Sequence, residues 1–257
     1  MSVAWRLCVG AVLAVLTAAA PASGQRLASA LSTTTVSVDS SFSGETLTIF
    51  GNIEPDIGSD ERIKDDGYQI IILVKGPAID RLARRKTGDL GIWLNTEQVL
   101  FEAFPSYFWV VSSSQLENIA SKDILAENGL LPESQPGLVL HRGNGDPDEM
   151  GAQLVRLMRE EALYGVRESG VIFRSRTLYS ARLPLPANVP NGDFLAQTFL
   201  LKDGKVIART AQGFSVRKTG FERLVGTTAK TMPLVYGAVC VSLAIFTGWL
   251  GGVAFRR

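Results

Sequence analysis

Residues 69–75 read QIIILVK, five consecutive apolar residues between a glutamine and a lysine. A strand that is covered on both faces reads as a continuous apolar run, whereas a strand with one face in water alternates between apolar and polar residues. Gly76 and Pro77 follow directly and end the run, because both residue types favour turns. The sequence therefore predicts a buried central strand at residues 69–75, with a packing layer on each side of its sheet.

Further strand candidates lie on both sides of this run, many of them with the polar–apolar alternation of half-buried strands. They are residues 35–38, 46–50, 107–112, 171–174, 177–183, 193–202 and 206–216, with weaker candidates at 79–86 and 91–94. Asp203 and Gly204 form a dipeptide that is typical of tight hairpin turns. About eight strands in two batches predict a mainly β fold, and specifically an immunoglobulin-like β-sandwich.

A helical insertion is expected between the two batches of strands, over residues 114–169. Asp146 stands in the N-cap position of its longest helix. Residues 148–168 then carry a wide apolar stripe at helical spacing, which predicts packing on the sheet. We expect the insertion to belong to one domain of residues 25–230, and two small domains divided near residues 131–144 are the alternative.

The N-terminus has the pattern of a secretory signal peptide over residues 1–24. Arg6 precedes an apolar run at residues 7–20, and small residues follow. The run has 14 residues, which is too short to cross about 30 Å of hydrocarbon at about 1.5 Å per helical residue. We therefore expect the domain to be exported and the chain to be cleaved near Ala22 or Gly24.

Residues 232–255 contain no charged side chain and are long enough to span a bilayer, so we predict a transmembrane helix over residues 231–255. The two arginines at residues 256–257 favour a cytoplasmic tail, since cytoplasmic flanks are rich in basic residues. The chain would then be a single-pass protein of the inner membrane, with its β domain in the periplasm. Gly248 and Gly252 have the spacing that lets two membrane helices approach closely, and they are candidates for helix pairing.

The composition of the domain argues against several classes of chemistry. The two cysteines of the chain, Cys8 and Cys240, fall in its two apolar ends. Disulfides, zinc–thiolate sites and cysteine nucleophiles are therefore excluded from the domain. His141 is the only histidine, which excludes a His-rich metal site. Residues 26–230 hold all 25 acidic residues and 23 of the 26 basic residues, a net charge of −2. We therefore expect no catalytic residue, no cofactor, no metal and no nucleic-acid partner.

Four side chains are candidates for contact with a partner. Trp93 and Trp109 lie in two strand candidates, and buried core aromatics are the alternative interpretation. Arg84 and Arg85 belong to the densest basic cluster, near residues 81–86. A solvated edge strand, where basic residues block unwanted pairing, explains that cluster without a partner. Contact with an anion or a lipid headgroup is the functional interpretation.

The order of several short segments resembles a known protein family. The segments are ILVKGP at residues 72–77, RRKTG at 84–88, GIWLN at 91–95, PSYFWVVSS at 105–113, and an apolar C-terminal helix with a Gly-Trp pair at 248–249. Together they resemble a family of alphaproteobacterial transmembrane proteins, over most of the chain after the signal peptide. The resemblance assigns no residue roles. Members of that family tend to be encoded beside a permease that resembles sulfite exporters, which implies a role as a transport accessory.

These features favour a membrane-anchored accessory or interaction protein that is not an enzyme and that docks on a membrane protein such as a permease. Two alternatives belong to other classes. A membrane-tethered envelope hydrolase would use two carboxylates, about 5–10 Å apart, in a deep cleft. A solute-binding module would have an aromatic-lined pocket that contains Trp93 or Trp109.

Overall fold

A computed structural model describes residues 26–39, 42–54, 67–89, 92–219 and 221–254. The predicted signal peptide at residues 1–24 and the predicted cytoplasmic tail at residues 256–257 lie outside the described residues.

The described residues begin with seven strands, continue with a mixture of helices and strands, and end with two helices. The strands are β1 (Arg26–Leu31), β2 (Thr35–Val38), β3 (Glu45–Glu54), β4 (Tyr68–Lys75), β5 (Ala78–Asp89), β6 (Ile92–Pro105), β7 (Phe108–Ser112), β8 (His141–Gly143), β9 (Tyr164–Arg167), β10 (Val171–Phe173), β11 (Leu178–Leu185), β12 (Gly192–Lys202) and β13 (Lys205–Lys218). The helices are α1 (Leu116–Ile119), α2 (Lys122–Glu127), α3 (Pro147–Glu160), α4 (Phe221–Thr231) and α5 (Pro233–Ala254), with short 3-10 turns at Pro132–Ser134 and Pro136–Leu138.

Two sheets carry the core. One has four strands in the order β1-β3-β11-β10, and the other has six in the order β2-β13-β12-β4-β7-β9. In the six-stranded sheet β2 pairs in parallel with β13, and β7 pairs in parallel with β9. The mainly β prediction is confirmed, while the immunoglobulin-like architecture stays an interpretation of the strand orders.

Strand β4 contains the apolar run, and its five apolar residues are at most 1% exposed. Successive side chains of a strand point to opposite faces of its sheet, so the burial of all five shows that both faces are covered. On one face, the four-stranded sheet is close enough for the hydroxyl of Ser29 to lie 3.5 Å from the hydroxyl of Thr198, which pairs with Ile72. The predicted central strand, buried on both faces, is confirmed.

Strands β5 and β6 are longer than the two weak strand candidates predicted for this region. They form an antiparallel ribbon, and β8 pairs with β6 to complete a third sheet. The sequence prediction ended the second strand near residue 94, whereas β6 continues to Pro105. The sequence pattern did not predict this continuation, because Ala103, at φ 52°, interrupts the alternation of strand residues between the two faces beside a register shift.

The helical insertion is partly β-structure, which corrects the prediction that one helix runs over residues 148–168. Helix α3 begins as predicted, with the Asp146 carboxylate accepting the Asp148 N–H at 2.9 Å, but it ends at Glu160. Ala162 has a positive φ of 57° and turns the chain. Residues Tyr164–Arg167 then form β9, which pairs in parallel with β7. A helical stripe and a short buried strand both present apolar residues here, so tertiary pairing decides the outcome.

Helix α5 is the one helix of the described residues that is long and apolar enough to cross a membrane. Residues Pro233–Val253 form this 21-residue candidate span, and none of its apolar window is buried by the rest of the chain. Helix α4 precedes it, and only Met232 separates the two helices. The C-terminal apolar helix is therefore confirmed as a separate feature outside the β core.

The sandwich has two different ends. Strand β13 finishes at Lys218, from which the chain continues to α4 and α5, and we call this the anchor-side end. The pairings of β13, β12, β4 and β7 place Tyr107 there, and its phenol reaches Pro184 in the other sheet. The first described residue, Arg26, pairs with Glu54 at the opposite end. The ten residues of β3 separate the two ends by about 30 Å at about 3.3 Å per residue.

Candidate functional site

The predicted contact residues Arg84, Arg85 and Trp93 all lie on strands β5 and β6, which we call the β5–β6 ribbon. At the base of the ribbon the Ser106 N–H donates to the carbonyl of Pro77 at 3.0 Å. The ring of Pro77 packs directly on the first residue of β12, because a Cβ at that glycine would lie 2.8 Å from the ring. The ribbon therefore leaves the sandwich at the anchor-side end.

Arg85 lies on the face of the ribbon that turns toward the domain and is held there by two carboxylates. Its guanidinium lies 3.2 Å from the Glu97 carboxylate and also forms an ion pair with Glu149 of α3. The hydrogen bond and the charge of Arg85 lower the pKa of Glu149, and Glu149 in turn raises the pKa of Arg85. Arg85 therefore connects the ribbon to α3.

Arg84 lies on the opposite face of the ribbon, where the side chains meet solvent. It shares this face with Leu82, which is 45% exposed and pairs with Leu100. Arg142 of β8 is also exposed, but it forms an ion pair with Glu102. Within the part of the chain that the structure describes, no carboxylate forms an ion pair with Arg84. Arg84 therefore carries a positive charge that the described domain does not neutralise.

The two tryptophans occupy different sheets. The backbone of Trp93 pairs with Gly88 near the tip of the ribbon, and its side chain lies outside the described residues. Trp109 pairs with Val74 in the six-stranded sheet, is half-buried, and its ring packs against Gly165 and lies 6.2 Å from the Tyr107 ring centroid. Core packing therefore explains most of the Trp109 surface.

A small cavity at the anchor-side end touches Trp109. It has a volume of about 290 Å³, and Pro184 and Pro186 also line it. The indole N–H of Trp109 is buried and, among the described residues, has no hydrogen-bond acceptor. This cavity is the place where the predicted aromatic-lined pocket of a solute-binding module would lie.

The predicted helix-pairing residues lie on α5. A Cβ at Gly248 or Gly252 would meet no atom of the described chain within 4 Å. The backbone at these two glycines is therefore open to close approach by another helix, and their pairing role stays a prediction.

The chain matches one family model over residues 26–257, and the family is described as "Putative transmembrane protein (Alph_Pro_TM)". The chain belongs to this family. The resemblance read from the short segments is thereby confirmed, and with α5 it identifies a membrane protein. No curated protein matches the chain.

A groove between α3 and the two 3-10 turns is a feature of this transmembrane protein that sequence reasoning missed. Its volume is about 580 Å³, and its lining includes Glu133, Asp148 and Arg159 as well as apolar residues. Glu133 forms an ion pair with Arg159 across the groove. Because these side chains come from separate segments, no spacing in the sequence signals that they meet.

The expectation of no metal and no cofactor has no positive test in this transmembrane protein. Among the residues that the structure describes, no three His, Cys, Asp or Glu side chains are grouped to hold a metal ion. Cys240 is exposed on α5.

Proposed function

We propose that this protein is a membrane-anchored accessory protein without enzymatic activity, whose β domain docks on a membrane-protein partner through the β5–β6 ribbon. The domain would lie in the periplasm and α5 would anchor it in the inner membrane. The observation that carries the proposal is the position of the ribbon, which leaves the sandwich at the anchor-side end. A surface at that end lies close to whatever α5 is embedded in.

The chemistry of the ribbon supports a protein contact. Arg84 is exposed and unneutralised by the described carboxylates, and the exposed Leu82 lies beside it. Arginine is enriched at protein interfaces because its planar guanidinium combines charge with a large contact surface. A permease that resembles sulfite exporters is the proposed partner, as the gene neighbourhood of the family implies.

The groove gives only limited support to the alternative of a hydrolase with two carboxylates. Glu133 and Asp148 both line it, but Glu133 is engaged by Arg159. A hydrolase needs one carboxylic acid that donates a proton and a second carboxylate that acts as base or nucleophile. The hydrolase therefore stays the second prediction, behind partner docking.

A photocrosslinking amino acid at Leu82 in the full chain tests the docking proposal in intact membranes. We expect a discrete product that contains one membrane protein. The matched control places the same amino acid at Ile172, which is 51% exposed on β10 of the four-stranded sheet. Crosslinking of the same protein from both positions, or of none from Leu82, would reject the ribbon as the docking surface.

A cysteine-labelling experiment tests the proposed orientation. In a chain with Cys240→Ser, we expect Lys205→Cys, at the exposed start of β13, to react with a maleimide that cannot cross the inner membrane. Arg257→Cys should react only after the membrane is opened. The reverse pattern would place the domain in the cytoplasm and contradict the proposal.

A further inference from the structure

We propose that the free edge of β5 accepts an extended acidic segment of the partner as an added β-strand. This inference rests on the proposed function, because it names the chemistry of the partner that the β5–β6 ribbon would contact. The direction of the β5 backbone groups, the unneutralised charge on that edge and the repulsion between two copies of β5 together point to this occupant.

The backbone direction follows from the hydrogen bonds between β6 and the β8 segment. The Glu102 N–H donates to the carbonyl of Leu140 at 2.9 Å, and the Asn144 N–H donates to the carbonyl of Gln98 at 3.1 Å. Glu102 and Gln98 therefore point their backbone groups toward β8. Because the direction alternates along a strand, Val99 points its N–H and C=O the other way, toward β5.

The same alternation fixes the free edge of β5. Val99 pairs with Ala83, so Ala83 points its backbone groups toward β6. Its neighbours Leu82 and Arg84 then point theirs away from the sheet. In the described part of the chain, no residue hydrogen bonds to the backbone of Leu82 or Arg84 on that side, and β5 is the terminal strand of its sheet. Four backbone groups are therefore available to an added strand.

The side chains beside these groups specify what the added strand would carry. Leu82 and Arg84 lie two residues apart, so their side chains share the outer face of the ribbon. A strand paired along β5 would place one side chain beside Leu82 and another beside Arg84. Cross-strand pairs of apolar residues and of opposite charges are stabilising. The matching segment therefore has an apolar and an acidic residue separated by one position.

A second copy of this chain fits the edge poorly. Strand β5 contains four basic residues, Arg81, Arg84, Arg85 and Lys86. Pairing two β5 strands would set like charges next to one another, which is destabilising and is a common protection of exposed edges. The charges that oppose self-association are the charges that favour an acidic partner.

Peptide binding to the full chain in nanodiscs of zwitterionic lipid tests the inference. The probe is a fluorescent octapeptide of sequence VTETVTET, in which valine and glutamate alternate along one face of the strand, and its binding is followed by fluorescence anisotropy. We expect saturable binding that weakens with salt. The same peptide with lysine in place of glutamate should not bind. A valine–glutamate peptide with N-methyl groups on its hydrogen-bonding edge should have an affinity at least about tenfold lower, because it loses backbone hydrogen bonds.

Variants of the chain separate charge from strand pairing. Arg84→Glu should reverse the preference from the glutamate peptide to the lysine peptide. The control Arg209→Glu makes the same charge change at an exposed position of β13 and should leave the preference unchanged. Leu82→Pro removes an outward N–H and should weaken binding with little change in the melting temperature, because edge strands tolerate proline there.

Three results would overturn the inference. Equal binding of the N-methylated peptide would show a contact by charge alone. Absence of binding by the valine–glutamate peptide would exclude an acidic strand. Unchanged binding of the glutamate peptide to the Arg84→Glu chain would show that Arg84 does not select the added strand. A membrane protein crosslinked from Leu82 would leave the docking proposal standing in each of these cases.

Discussion

The phenol of Tyr107 donates a 2.6 Å hydrogen bond to the backbone carbonyl of Pro184 and so joins the two sheets of the sandwich at the anchor-side end. Tyr107 is fully buried, and its burial raises the pKa of the phenol above its usual range. The phenol therefore stays protonated in the folded protein under all but strongly alkaline conditions, and it keeps donating this hydrogen bond.

We expect Tyr107→Phe to lower the free energy of unfolding by about 1–3 kcal/mol, because the carbonyl of Pro184 loses its buried donor. Denaturant unfolding followed by circular dichroism measures the change. The folded pKa is raised, so the contribution of Tyr107 is complete below about pH 10 and is lost above it. The variant should therefore approach the parent in stability as the pH rises above 10, and equal stability at pH 7 would contradict the structure. Tyr236→Phe on α5 is the control.

Gly165 provides a test of the packing around Trp109. A Cβ at Gly165 would lie 2.4 Å from the indole ring, so Gly165→Ala requires Trp109 to move. We expect a loss of about 1–3 kcal/mol in the free energy of unfolding, the usual cost of overpacking. Gly213→Ala on β13 is a matched control, because its nearest atom would be a carbonyl oxygen at 3.8 Å. Similar losses in both variants would indicate that Trp109 does not pack on Gly165.

The ion pair of Arg85 with Glu149 predicts a small acid-dependent effect. Since Arg85 lowers the pKa of Glu149, the stabilisation is present above the usual glutamate pKa of about 4.3 and is lost as the pH falls through the lower folded value. We expect Glu149→Gln to lower the melting temperature slightly at pH 7, because exposed ion pairs contribute little. The difference should disappear in strong acid and shrink in high salt. Glu127→Gln, at an exposed position of α2, should show neither dependence.

The positions of Arg26 and Lys218 at opposite ends of the sandwich predict that residues 1–24 are removed from the mature protein. Arg26 lies at the end of the sandwich opposite Lys218. An apolar segment that stayed attached would have to reach the bilayer from that far end, while α5 enters it from the other. Intact-mass measurement of the purified protein should show a start within residues 22–25. A mass that includes residue 1 would contradict the prediction.

The success of the sequence predictions depends on how local their physical cause is. The apolar run of β4 and the N-cap at Asp146 were predictable, since continuous burial and capping are written in adjacent residues. The end of α3 was not, because Tyr164 joins β7 through pairing with a strand more than fifty residues earlier in the chain. The sequence drew attention to Arg84 and Arg85 together, but only the fold distinguishes the exposed Arg84 from the ion-paired Arg85.

The sequence by itself determined the mainly β class, the apolar helix at the C-terminus and the family resemblance, because each depends on residues that are close together in the chain. The tertiary structure alone decided that the β5–β6 ribbon leaves the sandwich at the anchor-side end, and that Leu82 and Arg84 point their backbone groups outward. Both facts depend on strand order and register, which arise from long-range pairing and burial rather than from any local pattern.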